Sequence, residues 1–356
     1  MLEDITLTPV YEFARLRYNL FLDNFTARPD ATTSTCLGTY QTTKRGNGVF
    51  AIAKFTNIFR FLDRVSQGAV AISNATNIEP AEHAAAIYLF RLFNNLDTWE
   101  RFPYKFNAVE HLADIQPWID SETANGRSVY GRAYLLSSAF PYRIYIEILQ
   151  DIIESKAYET LLNSDSLATK YDTLRAYKGF GEFLAYQFAL DFSYYKVNVE
   201  DYDGFVIPGV GAVRGASRIF EGLSKRKLGI VMSSIAHEWK SDFKFFGWNL
   251  KGNDVQNIFC EFDKYARLEL PDLPSTKGQK RVNTRQYRVT RAPYDIYFPK
   301  SFVEGFEVQK LYEDTNETTV PEAPSIAEQL GETAKAVNNE YESFIQELNR
   351  EDKQAH

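Results

Sequence analysis

Lys178-Gly179-Phe180-Gly181 stands between two helical patterns, and Asp203 follows 22 positions after Gly181 in the run EDYDGF. Glycine accepts the backbone conformations of a tight corner and leaves neighbouring amides uncovered. A helix starting near Glu182 would aim its first free N–H groups at an anion such as a DNA phosphate. Contacts of that kind fix register on a duplex without reading its sequence. Cutting a base from its sugar builds positive charge on the sugar, which a fixed carboxylate stabilises while it orients water. The spacing therefore predicts chemistry on an extruded nucleotide, with Lys178, Gly179 and Gly181 on phosphate and Asp203 as the catalytic group. Without the glycine corner, Asp201 and Asp203 read as turn residues beside Gly204.

Other residues add to this set. Pro208, Gly209, Gly211 and Arg214 form a second glycine turn with a guanidinium nearby, suited to phosphate or pyrophosphate. On a helical reading of residues 50 to 67, Thr56, Arg60, Asp63 and Gln67 share the polar face, open to a ligand or to ion pairs with neighbouring helices. The amide of Gln187 could read a base edge. Asp263, beside Glu261 and Lys264, reads either as a catalytic group or as half of a buried ion pair.

YQFALDFSYYKVNVEDYDGF and the corner before it resemble the helix-hairpin-helix DNA glycosylases, above all their alkylpurine-type members, over about 30 residues. A longer resemblance runs from Tyr11 to Leu270 through FTNIFRFLDR (55–64), GFGEFLAYQFALDF (179–192), IPGVGAVRGASRIF (207–220) and CEFDKYARL (260–268). It is to the phage-associated alpha-glutamyl/putrescinyl thymine pyrophosphorylases, which share a helical domain with the 5-hydroxymethyl-uracil DNA kinases and are regarded as a branch of the same glycosylase fold. Carried over by position, the resemblance implies a pocket for a 5-substituted pyrimidine in DNA. Asn57, Arg60, Asp63, Arg64, Tyr186, Gln187 and Lys264 would form that pocket. Asp191 and Asp263 would join Asp203 as catalytic carboxylates, and Gly209, Gly211 and Arg214 would meet phosphate.

Two departures narrow the chemistry. No G-x-x-x-x-G-K-[ST] is present, which argues against a kinase nucleotide module. The position where bifunctional glycosylases carry their Schiff-base lysine holds Phe183, which argues for hydrolysis by water. The expectation is a monofunctional DNA glycosylase that flips and excises a hypermodified 5-hydroxymethyl pyrimidine, for example a glucosylated one, from phage DNA in anti-phage defence. The alternative is a transferase that attaches an amino acid or polyamine to pyrophosphorylated 5-hydroxymethyluracil and leaves the base on its sugar.

The elements that would position these residues are mainly α-helical, with patterns at about 9 to 24, 50 to 67, 81 to 97, 128 to 139, 142 to 155, 167 to 177 and 182 to 194. Residues 28 to 48 read as loop, and the best extended candidate is Arg285 to Phe298, interrupted by Pro293. The expected fold is a helix-hairpin-helix glycosylase-like body over 1–311, two helical lobes around a cleft. An acidic linker over 312–324 and a helical tail over 325–356 follow.

The net charge of −7 conceals an asymmetry, because residues 312–356 alone hold 11 acids and 3 bases and leave the body near neutral. Lys277, Lys280, Arg281, Arg285, Arg288 and Arg291 follow one another without an acid, a run that either tracks phosphates or is a solvated loop. Cys36 and Cys260 make no framework and the four histidines are scattered, so neither a disulfide nor a metal site is expected, and no cofactor. The start lacks signal-peptide regions and no stretch reads as membrane-spanning. The expected setting is cytoplasmic, with modified double-stranded DNA as partner and no obligate protein partner evident.

Overall fold

Apolar side chains at three- and four-residue spacing bury one face of α1 (Thr8–Leu22), where Val10, Phe13, Ala14 and Phe21 enter the core. The computed structural model describes residues 7–29, 36–44, 46–131, 140–274 and 292–303, and these are mainly helical. After the short β1 (Phe25–Ala27) and β2 (Cys36–Tyr40) come α2 (Val49–Ile52), α3 (Arg64–Asn74), α4 (Pro80–Phe93), α5 (Leu96–Arg101) and α6 (Leu112–Ala124). Next are α7 (Ile144–Glu154), α8 (Ala157–Asn163), α9 (Leu167–Arg175), α10 (Glu182–Ser193), α11 (Val199–Gly204), α12 (Val210–Ala216) and α13 (Lys225–Glu238). The hairpin β3 (Lys244–Phe245) and β4 (Trp248–Asn249) leads into α14 (Gly252–Glu269), and β5 (Tyr294–Tyr297) precedes α15 (Lys300–Val303).

The core centres on α4 and α10, which are buried on every side from His83 to Phe93 and from Leu184 to Ser193. Such helices show little amphipathic period because all their faces meet protein. Local chemistry sets their ends. Pro80 opens α4 and Asn94, in the left-handed region at φ 45°, closes it. Ser166 and Ser224 cap α9 and α13 through their hydroxyls. Most aromatic rings pack the interior; Trp248 stacks on Phe302 at 4.0 Å between ring centres.

β2 sits between β1 and β5 in an antiparallel sheet that sets Tyr40 opposite Tyr294. Side chains of α3 fasten β5: the Gln67 amide donates to Tyr297 O (3.1 Å) and accepts from Tyr297 N (2.7 Å), and the Asn74 amide donates to Phe298 O (2.7 Å).

Several expected elements differ. The helix expected over 50 to 67 is interrupted, with α2 ending at Ile52 and α3 starting at Arg64. The region expected to be loop contains β2, which pairs on one edge with the nearby three-residue β1 and on the other with β5, more than 250 positions away. Of the extended stretch expected at 285 to 298, the described part forms β5. The basic run with Lys280 and Arg281, most of the helix expected at 128 to 139, and the segments 312–324 and 325–356 lie outside the described residues.

One buried polar group ties the central helices together. Asp191 on α10 has no solvent exposure and takes two hydrogen bonds from Arg91 of α4 (2.5 and 2.7 Å) and one from Arg60 (3.3 Å). Removing one member of such a set strands opposite charges in an apolar interior. Asp191→Ala is therefore expected to cost about 3–5 kcal/mol of unfolding free energy, measured by urea denaturation followed by circular dichroism.

Candidate functional site

Between α2 and α3 the chain is neither helix nor strand from Ala53 to Phe59, and side chains from elsewhere satisfy its backbone. Arg17 Nε of α1 donates to Thr56 O (2.9 Å) and more weakly to Phe55 O (3.3 Å). From α14, Glu261 accepts from Thr56 N (3.1 Å), the Asn257 amide donates to Asn57 O (2.6 Å) and Asp254 accepts from Arg60 N (2.7 Å). Lys264 Nζ donates to Lys54 O (3.1 Å) and lies over the Phe55 ring. Buried backbone groups need such partners. Here they come from a helix some 200 residues away.

That segment forms one wall of a cleft of about 230 Å³, smaller than the roughly 300–1,000 Å³ of drug-sized ligand sites. Asn57, Asp63 and Arg64 line it, with Arg17, Lys44, Lys54 and Arg91 as further cations and Asp63 as the acid. Phe50, Phe55, Tyr40 and Tyr294 supply aromatic surface; the two tyrosine rings are 5.4 Å apart and Arg64 sits 5.6 Å from the Tyr294 ring centre. Cations beside aromatic faces favour a planar, anionic ligand over a cationic one.

Asp63 occupies the N-cap position of α3 yet makes no capping bond. Its Oδ1 instead accepts from Asn57 N at 2.8 Å, and Oδ2 has no hydrogen-bond partner among the described residues. Burial pushes its pKa up from 3.8 to about 6, opposed by the Asn57 N–H and the charges of Arg17 and Lys54. A half-buried carboxylate of that pKa is ionised at neutral pH and ready to take a proton. Asp254, behind the loop, is raised by burial to about 7 while accepting from Arg60 N and Lys251 N.

The other residues singled out from the sequence fall into three further places. Arg60, Gln187 and Asp191 form a buried chain behind the cleft, in which Arg60 Nη1 donates to Gln187 Oε1. Gln187 and Tyr186 have no solvent exposure, and the Tyr186 hydroxyl donates to Phe205 O. Asp263, 1 % exposed, is gripped by Arg267 of its own helix and by Arg214 of α12 and Arg218 just after it, and the last two lock that stretch onto α14. Gly209 abuts the Phe183 ring, and Gly211 abuts Cys260 of α14. Gly179 takes the left-handed conformation (φ 114°), as a tight corner requires, whereas Gly181 is an extended N-cap of α10 with open space around it. Lys178 is exposed beside that corner.

Asp203 is not among the residues that line the cleft. Its Oδ1 accepts from Gly252 N (3.0 Å), and its Oδ2 lies 3.5 Å from Lys251 Nζ, so it caps α14. Among the described residues no three His, Cys, Asp or Glu side chains gather as metal ligands, and no helix is long and apolar enough to cross a membrane.

Arg17, Lys54, Arg91, Asn94, Tyr40 and Tyr294 line the cleft without having been singled out. Two of them carried a signal. Arg17 lies on the same face as Val10, Phe13, Ala14 and Phe21, and Arg91 interrupts the apolar run AAAIYLFRLF; a charge on a core-facing position needs a partner.

The family model described as "5-hmdU DNA kinase, helical domain" matches residues 7–275, and the chain belongs to that family. No curated protein and no solved structure matches the chain. The family overturns the expectation of a monofunctional glycosylase and, with it, of base excision and hydrolysis, because it is named for a DNA kinase, which is a transferase. The placement of Asp203 agrees physically with that correction. Asp203→Ala is expected to lower stability by about 1 kcal/mol, the usual worth of a helix cap. Asp203→Asn, which keeps an oxygen for Gly252 N, should retain most of it in urea denaturation.

Proposed function

We propose that this chain is a DNA-base modification transferase acting on a 5-substituted deoxyuridine, with the 5-substituent brought to Asp63 in the cationic, aromatic-walled cleft. The family supports a 5-hydroxymethyl-deoxyuridine class of substrate. The observation that carries the reading is the cleft itself: Arg17, Lys54 and Arg64 line it with Asp63 as the acid, together with Arg91 held by Asp191 and Lys44 held by Asp23, and Tyr40, Phe50, Phe55 and Tyr294 are surfaces for a flat base. An extruded base stacks on such rings while its charged substituent meets the cations. The glycine N-caps Gly181 and Gly209 share one backbone form (φ −74°, ψ 164° and φ −75°, ψ 166°), and on this proposal they are paired corners facing the DNA backbone.

The transfer we favour places an amine on the 5-methylene of a pyrophosphorylated base. The amine nitrogen bonds to the methylene carbon, the carbon–oxygen bond breaks, and pyrophosphate leaves with the electron pair. Asp63 takes the proton that the nitrogen loses. The glycosidic bond is untouched.

Duplexes carrying 5-hydroxymethyluracil with ATP and magnesium, and duplexes carrying its pyrophosphorylated form with amino acids or polyamines, separate the transfers. Mass spectrometry of the digested DNA should show a mass gain on the retained nucleoside in the amine arm. A gain in the ATP arm alone would assign phosphoryl transfer instead, and DNA binding with no gain in either arm would overturn the reading. Asp63→Asn should lower turnover about 10²–10⁴-fold. The wild-type rate should rise with pH through about 6 as Asp63 ionises.

Stability should move the other way. A carboxyl group whose pKa is raised on folding makes the fold less stable as pH climbs from about 4 through about 6, where the unfolded chain has lost the proton and the folded chain still holds it. Above that window the loss is complete. Asp63→Asn should therefore melt higher than wild type at pH 8, with the gap closing at pH 4, in thermal denaturation.

A further inference from the structure

We infer that the first turn of α3, together with Arg17 and Asn57, is a binding subsite for a phosphate or diphosphate group inside the cleft. Arg64, Val65 and Ser66 are the first three residues of this 11-residue helix, and all three line the cleft. The first hydrogen bond of the helix runs from Gln67 N to Asp63 O, so the three preceding N–H groups have no intrahelical acceptor. Asp63, the residue placed to cap them, turns to Asn57 N instead, and no side chain caps the helix. The positive end of α3 is thus left open toward a cavity rather than toward bulk water.

Two buried donors point to the same ligand. Asn57 is 2 % exposed, and its Nδ2 has no hydrogen-bond partner. The Asn57 amide orientation is fixed, because its Oδ1 accepts from Phe59 N at 3.2 Å. Arg17 is 9 % exposed; its Nε serves the loop, while its Nη1 has no hydrogen-bond partner. A buried donor left unsatisfied costs stability, and both of these belong to residues that line the cleft. Three backbone N–H groups, one amide and one guanidinium, all donors and with a net positive charge, match the oxygens of a phosphate. The acceptor beside them is the Asp63 carboxylate, which lines the same cleft and is already bound to Asn57 N.

The assignment rests on the proposed transfer only in naming the base-borne pyrophosphate as occupant. The shared chemistry is the phosphoryl group, whose other source is the DNA backbone.

Isothermal titration calorimetry of the full chain with sodium pyrophosphate at fixed ionic strength tests the site. Arg64→Ala removes the Arg64 side-chain charge at the rim and leaves the Arg17 guanidinium in place, and Arg64→Pro removes that charge and also the first N–H while keeping helical geometry, since proline suits the first helical position and Asp63 is already extended (φ −68°, ψ 143°). Asn57→Ser removes Nδ2 while its hydroxyl can still serve Phe59 N. Wild type should bind pyrophosphate, Arg64→Ala about fivefold more weakly, Arg64→Pro at least about threefold weaker again, and Asn57→Ser about tenfold weaker than wild type.

Equal affinity of Arg64→Pro and Arg64→Ala, or wild-type affinity in Asn57→Ser, overturns the site; if the proline variant fails to fold, Asn57→Ser decides. Displacement of pyrophosphate by an unmodified single-stranded oligonucleotide assigns the site to backbone phosphate, and no displacement assigns it to the substituent. Intact pyrophosphate binding in a protein without transfer activity removes the proposed reaction and leaves the site. An active enzyme in which both variants bind as wild type does the reverse.

Discussion

The stretch from Ala53 to Phe59 is the constraint on which the site depends. A seven-residue segment inside a helical protein normally satisfies its peptide groups by continuing a helix, and its apolar spacing favours that. Here Arg17, Asn257, Glu261 and Asp63 bind those peptide groups, Asp254 binds the next N–H at Arg60, and together they hold the chain open. Each bond contributes only about 0.5–1.5 kcal/mol net. What matters more is that leaving any of these buried groups unpaired costs its desolvation in full. The loop's shape is therefore written on α1, α3 and α14, and the cleft appears where those three helices support it.

Two charge clusters make that support rigid. Asp191 joins α10 to α4 and, through Arg60, to the turn before α3; Asp263 joins α14 to α12 through Arg214 and Arg218. Both carboxylates face more guanidinium than they can neutralise, and buried ion pairs of this kind seldom add net stability over apolar packing. Their effect is geometric. Arg60 also presents its own N–H to Asp254, so the same residue fixes the turn from its backbone and from its side chain.

Legibility in the sequence followed the range of the interactions. α1, α4, α7, α9 and α10 fall where the sequence predicts helices, α7 through its local period and the fully buried α4 and α10 through long apolar runs, and the mainly helical class is legible with them. The break before α3 is not, because the apolar residues Phe55, Ile58, Phe59 and Leu62 have the spacing of a helix face while their peptide groups answer to partners 200 positions away. Within FTNIFRFLDR the resemblance singled out Asn57, Asp63 and Arg64, which line the cleft, whereas the helical face on which Asp63 was placed with Thr56, Arg60 and Gln67 does not exist. The aspartate at 203 shows the opposite failure. Its spacing from the glycine corner suggested chemistry, and its bond to Gly252 N across the fold makes it a cap.

Asp63 gives the cleft its character by breaking a local rule. An aspartate at an N-cap ordinarily bonds to the second or third N–H of its helix, worth about 1 kcal/mol. In this chain it forgoes that bond, leaves three N–H groups open, and accepts a position where burial raises its pKa to about 6. The bond it gains, to Asn57 N, replaces one hydrogen bond with another and does not offset the raised cost of its charge. Local choices that disagree with the fold's own stability concentrate where function is selected instead. Turned outward, the same carboxylate would cap α3 and cancel the positive end of the helix. Turned inward, it leaves three uncapped N–H groups and a proton acceptor side by side, the pairing that the proposed displacement of pyrophosphate by an amine calls for.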